Sequence, residues 1–144
     1  CLELKAPGPP LPKRRAMSKE RTWRRIFAEA GAVVQKNQTL ADMKIEGVSP
    51  MDDRKAEILA TGLPLCQGIP LVCDASLVSP IKANGIARPR AAHVPGVAIE
   101  HIEDVKAATY PELVSSHRCK FLVLAGEVGG RWSATTCRLI RDLL

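Results

Sequence analysis

Leu71-Val72-Cys73-Asp74-Ala75-Ser76-Leu77-Val78 decides how this chain is read. A run of apolar and small residues, with Pro70 before it and Pro80 after it, is the pattern of a strand. One ionisable group interrupts it. Burying a lone charge costs several kcal/mol, so Asp74 is expected to have a partner: a metal cation, a lysine or a backbone turn. Upstream, Lys55-Ala56-Glu57-Ile58-Leu59-Ala60 reads as a second strand. Gly62, Pro64 and Gly68 lie between the two, which predicts an antiparallel hairpin. Strand side chains alternate, so Glu57 shares a face with Leu59, and Asp74 shares one with Val72, Ser76 and Val78.

Residues 79 to 96 contain Pro80, Pro89 and Pro95 and predict a long loop carrying Lys82, Arg88 and Arg90. After it, Ala98, Ile99, Ile102, Val105 and Thr109 trace one face of a helix that Pro111 ends. Lys120 to Ala125 reads as a buried strand, Gly129-Gly130 as a turn, and Ser133 as the cap of a last helix. On the N-terminal side, Trp23, Ile26, Phe27 and Ala30 fall at helical spacing, with Ser18 as the predicted N-cap and Gly31 closing the helix. Ala32-Val33-Val34 is a short strand, and residues 35 to 53 are expected to be an extended connection. Residues 1 to 17 hold four prolines and predict an irregular basic arm, which leaves 18 to 144 as the domain. The order α, β, β, β, α, β, α predicts the α/β class, with a mixed sheet of α+β character.

With 144 residues, 46% hydrophobic and 25% charged, the chain can bury a real core. The charge of +6 is concentrated at one end. Lys5, Lys13, Arg14, Arg15, Lys19, Arg21, Arg24 and Arg25 face only Glu3 and Glu20 in the first 25 residues, and the remainder is balanced. Attraction for a polyanion is therefore expected from Lys13, Arg14, Arg15, Arg21, Arg24 and Arg25, together with Lys55 beside the acids; a solvated tail is the plainer reading of such a terminus. Few aromatic residues argue against a stacking platform for single strands, and Trp132 is expected to pack. Five cysteines without a CxxC pair fit a reducing compartment, and His117-Arg118-Cys119 alone does not make a zinc site. No run reaches the ~18 to 20 apolar residues of a membrane span, and no secretory signal opens the chain. An intracellular location is expected, and Lys13-Arg14-Arg15 as an entry patch predicts the nucleus. A start at Cys1 and an end inside a predicted helix suggest a piece of a longer polypeptide.

Two acids on adjacent strands followed by Lys106-Ala107-Ala108-Thr109-Tyr110 on a helix form an ordered trio suited to a metal-dependent nuclease. In this order the chain resembles the restriction-like endonuclease of site-specific non-LTR retrotransposons, a branch of the PD-(D/E)XK nucleases with an αβββαβ core. That family's pattern is a Lys-Pro-Asp strand, an Asp a dozen or somewhat more residues later, and a Lys-x-x-x-Tyr helix. Thr22 to Gly31, Cys73 to Pro80, Thr109 to Leu113 and Glu127 to Ser133 also look like the C-terminal parts of retroelement-derived proteins of some protists. The likeness covers roughly residues 20 to 144.

The resemblance implies that Glu57 and Asp74 hold Mg²⁺ or Mn²⁺, that Lys106 is the catalytic lysine, and that Tyr110 is its helix neighbour. Ala56-Glu57 replaces Pro-Asp, sixteen residues separate the acids, and Ser76 stands where a standard PD-(D/E)XK enzyme has its lysine. Glu127, before the glycine pair, is a further candidate acid, with a plain turn residue as the other reading. The expected function is nicking of target DNA for retrotransposon integration by target-primed reverse transcription, beside a reverse transcriptase domain in the same parent polyprotein. The alternative is an inactive nuclease-fold remnant with weak DNA binding or a purely structural role.

Overall fold

The computed structural model describes residues 11–144, with side chains from residue 19 onward. The first helix, α1 (Leu11–Glu29), begins seven residues before the predicted cap. Pro12 sits in its first turn, where a missing N–H is no loss, and Lys13 to Met17 are good helix formers. Ser18 is therefore inside the helix, and the predicted boundary between arm and domain falls within α1. The side chains of Lys13, Arg14 and Arg15 lie outside the described residues. Gly31, at φ 97°, lets the chain turn off the helix while the Ala32 N–H bonds back to the Phe27 carbonyl.

Four strands follow: β1 (Val33–Thr39), β2 (Lys55–Thr61), β3 (Leu71–Val78) and β4 (Lys120–Glu127). They form one mixed sheet in the order β1-β2-β3-β4. The first three are antiparallel neighbours, and β3 and β4 are parallel. The predicted β2–β3 hairpin is present, joined through a short 3₁₀ turn at Cys66–Gly68. The expected connection over residues 35 to 53 is corrected at its start: Gln35, Lys36, Asn37 and Gln38 belong to β1. They lack apolar alternation because β1 is an exposed edge strand, where polar side chains discourage pairing with another chain.

The parallel pair requires a crossover, supplied by the loop of residues 79–96, α2 (Val97–Thr109) and α3 (Pro111–Ser115). Pro111 does end α2, and it also opens the short α3 as its first residue. The last helix, α4 (Ala134–Leu143), is capped as predicted: Ser133 Oγ accepts the Thr136 N–H at 3.1 Å.

The sheet lies between two helical layers. On one face Trp23 and Phe27 of α1 and Leu139 of α4 cover Ile58, Leu71, Cys73, Leu122 and Leu124. On the other, Ile99 of α2 packs on Val123 and Ala125, and Leu113 of α3 packs with Val72, Leu40 and Ile45. Coverage on both faces explains why residues 71 to 75 are buried without alternation. Trp132, just past the Gly129-Gly130 turn, meets Trp23 edge-on at 6.1 Å and lies over Gly126. Among the described residues no helix is long and apolar enough to cross a membrane.

Candidate active site

Pairing between β2 and β3 stops halfway. The register runs Ala60↔Leu71, Leu59↔Val72, Ile58↔Cys73 and goes no further, whereas β3 stays paired with β4 through Val78↔Glu127. Continued, that register would set Glu57 opposite Asp74 and Ala75 opposite Ala56. The strands separate there instead, and the sheet forks. The Ala75 N–H, left without a strand partner, donates to Glu57 Oε2 at 2.9 Å. A carboxylate side chain thus replaces a backbone carbonyl at the vertex of the fork.

Asp74 is 3% exposed, and it is held on both oxygens. Lys106 Nζ donates to Oδ2 at 2.8 Å and Ser76 Oγ donates to Oδ1 at 2.9 Å. The partner that the buried charge demanded is therefore a lysine and a hydroxyl. Alternation puts Asp74 and Ser76 on the α2 side of β3, opposite Cys73 and Ala75, and Lys106 reaches down from the last turn of α2. Burial opposes the Lys106 charge, but the hydrogen bond to Asp74 and the charges of Asp74 and Glu57 outweigh it, so the ammonium titrates above its ordinary range.

Glu57 shows the opposite balance. Burial, and next the charge of Asp74, push its carboxyl above the ordinary carboxylate range, while the Ala75 N–H pulls it down. Glu20 of α1 adds to the upward shift, its field reaching Glu57 from the other face of the sheet. Tyr110 closes the far side. Its hydroxyl donates to the Lys55 carbonyl at 3.4 Å, its ring stands 5.5 Å from Phe121, and burial followed by the charge of Asp74 raises its phenol.

Arg54, which the sequence reading did not single out, ties these pieces together. It precedes β2 and donates to the Thr109 carbonyl at the end of α2, to Glu112 Oε1 at 2.8 Å and to Asp52 Oδ2 at 2.6 Å. Its guanidinium also lies 5.9 Å from the Tyr110 ring centre. The start of β2 is thereby pinned to the α2–α3 corner that carries Lys106 and Tyr110. Its only sequence signal is an arginine two residues after an aspartate and directly before a strand.

Glu57, Asp74, Lys106 and Tyr110 thus gather at one place, with exposed Lys55 at the tip of the β2 arm. Glu127 does not join them. It ends β4 level with Val78, about 13 Å along the strand from Asp74, and it faces Arg131 at 3.6 Å across the glycine turn. Arg21, Arg24 and Arg25 sit on α1, across the sheet from α2, and Arg25 pairs with Glu29 at 2.8 Å. Cys73 adjoins Asp74 but faces α1, and burial pushes its thiol far up, so no thiolate nucleophile is available there.

Two carboxylates suit a hard cation that takes its remaining ligands from water and phosphate. Among the described residues no group of three or more His, Cys, Asp or Glu side chains converges. In comparison with known proteins, the chain matches no family model and no curated protein.

Proposed function

We propose that this chain is a metal-dependent DNA endonuclease module with a restriction-endonuclease-like core, nicking target DNA for retrotransposon integration by target-primed reverse transcription beside a reverse transcriptase in the same parent polyprotein. The observation that carries the reading is the meeting of Glu57, Asp74 and Lys106, far apart in sequence, at a fork in the sheet. The order acid, acid, lysine supports the nuclease class, and the resemblance of the surrounding runs supports the retroelement setting.

Glu57 and Asp74 are the residues that would hold Mg²⁺ or Mn²⁺. Such an ion, when bound, supplies positive charge against a phosphate oxygen and acidifies water. Asp74 contributes a carboxylate fixed in direction by Lys106 and Ser76. Lys106 contributes an ammonium that stays protonated through neutral pH and offsets charge gathering on the phosphate. Glu57 must lose its proton to act as a ligand, and its raised titration sets the acid limb of activity. Activity should therefore rise with pH from the acid side.

A second reading has its own support. Lys106 already neutralises Asp74 at 2.8 Å, which is what a purely structural ion pair in an inactive remnant would look like. Conversion of supercoiled plasmid to open circle, with Mg²⁺ or Mn²⁺ and with EDTA, separates the two. The endonuclease reading expects cation-dependent nicking that Asp74→Ala and Lys106→Met each abolish. Folded protein that nicks with neither cation, or nicks equally well as Asp74→Ala, leaves the structural reading standing alone.

A further inference from the structure

The loop of residues 79–96 carries cations that the endonuclease reading does not use. Lys82, Arg88 and Arg90 border a hollow of about 400 Å³ with Glu100, His101 and Asp104 of α2. Although two carboxylates share that hollow, none of the three cations forms an ion pair within 4.0 Å among the described residues. The loop is nonetheless well tied. Ile81 bridges Ala87, the Lys82 N–H bonds the Ile86 carbonyl at 2.8 Å, and Arg88 Nε bonds the Ser79 carbonyl at 2.8 Å. It is a short hairpin finger whose tip turn opens at Lys82, with exposed Ile81 and Ile86 beside it.

Its position follows from the fork. Beyond Cys73, β3 has no strand pairing on its β2 side as far as Val78, its one described bond there being from the Ala75 N–H to Glu57, and Ser79 begins the loop. The β3 edge that has no strand partner therefore runs from beside Glu57 and Asp74 to the root of the loop, about 16 Å from Asp74. That span equals about five base pairs of duplex DNA. The other arm of the fork ends at Lys55. Negative charge thus lies at the vertex and, among the described residues, positive charge without an ion-pair partner at both tips, an arrangement suited to a polyanion whose one phosphate meets a cation at the vertex while its neighbours meet lysine and arginine.

We propose that the residue 79–96 finger, through Lys82, Arg88 and Arg90, is a phosphate-contacting arm for duplex DNA entering the fork; this rests on the endonuclease reading for the position of the bound strand. The arginines of α1, on the other side of the sheet, are secondary to it.

Binding of the full 144-residue chain to a fluorescent 20-base-pair duplex, by anisotropy in EDTA across a salt series, tests the arm without any turnover. Both exposed cations are removed in Lys82→Ala/Arg90→Ala, and both charges are kept in Lys82→Arg/Arg90→Lys. The neutral variant should bind roughly tenfold more weakly, and its log–log salt slope should be shallower by about two, one per phosphate contact. The charge-keeping variant should retain the wild-type slope. A neutral variant with unchanged affinity and slope overturns the proposal, as does wild-type protein that fails to bind the duplex at 50 mM salt. Plasmid nicking with Mg²⁺ or Mn²⁺ by the same proteins, in separate EDTA-free samples, speaks to the endonuclease reading separately: an arm that binds while nothing is cut removes that reading and keeps the DNA contact.

Discussion

Asp74 is fixed by a lysine on one oxygen and a hydroxyl on the other, so removing either partner leaves a carboxylate that water scarcely reaches. Lys106→Met keeps the aliphatic stem and discards the charge. It should destabilise the fold by about 2 kcal/mol in urea unfolding, in the range for a hydrogen bond to a buried charge. Adding Asp74→Asn should restore part of that loss, the coupling that marks a direct pair. Because the folded ammonium titrates above 10.5, its contribution should be complete below 10.5 and vanish as pH climbs through the higher folded value. Glu57 works in the other direction. Its folded carboxyl titrates above 4.5, so the folded state holds the proton more tightly, and stability from this group is present below 4.5 and lost as pH rises through the folded value. Glu57→Gln, which keeps an acceptor for the Ala75 N–H, should gain on wild type in urea midpoint as pH rises across that window. At this scale the need for a partner at Asp74 was legible, since one charge in an apolar strand admits few explanations. The second role of Ser76 was not: a hydroxyl two residues along the same face has no signature until the rotamers are set.

Between elements, the contact that matters most is made by Arg54 at the mouth of β2. It grips the last carbonyl of α2 and the first turn of α3, so the helix carrying Lys106 and the strand carrying Glu57 hold a fixed relation. Arg54→Ala should release the α2–α3 corner, read as faster amide hydrogen exchange over residues 106–115 with little change in β3 and β4. The elements themselves were largely readable: β2, β3, α2 and the Ser133-capped α4 follow from apolar period, proline placement and a cap. The misses share a cause. The polar strand β1 exists because β2 offers it a ladder, and the first turns of α1 exist although Pro12 looks like a helix breaker; neither tertiary pairing nor tolerance of proline in a first turn registers in hydrophobic period. Alternation assigned Glu57 and Asp74 to faces within each strand, but only the register between strands shows that the two faces coincide and that pairing stops between them.

For the whole molecule, a four-stranded sheet with helices on both sides gives two unequal halves: a continuous β3–β4 base and a β1–β2 wing that leaves it at the fork. The α1 face closes the underside of both, and Phe27 is fully buried there. Phe27→Ala should cost about 3–5 kcal/mol in urea unfolding, enough to threaten a domain of this size. Docking of α1 has a further consequence. The chain has two tryptophans, and the T-shaped contact between Trp23 and Trp132 holds them together, one on α1 and the other on the turn into α4. Two indoles at 6.1 Å couple as excitons, so the native protein should show a paired positive and negative band in circular dichroism near the indole absorption. Trp132→Phe should collapse that couplet to a single weak band, which gives the closure of the first helix over the sheet an intrinsic optical signature that needs no attached dye.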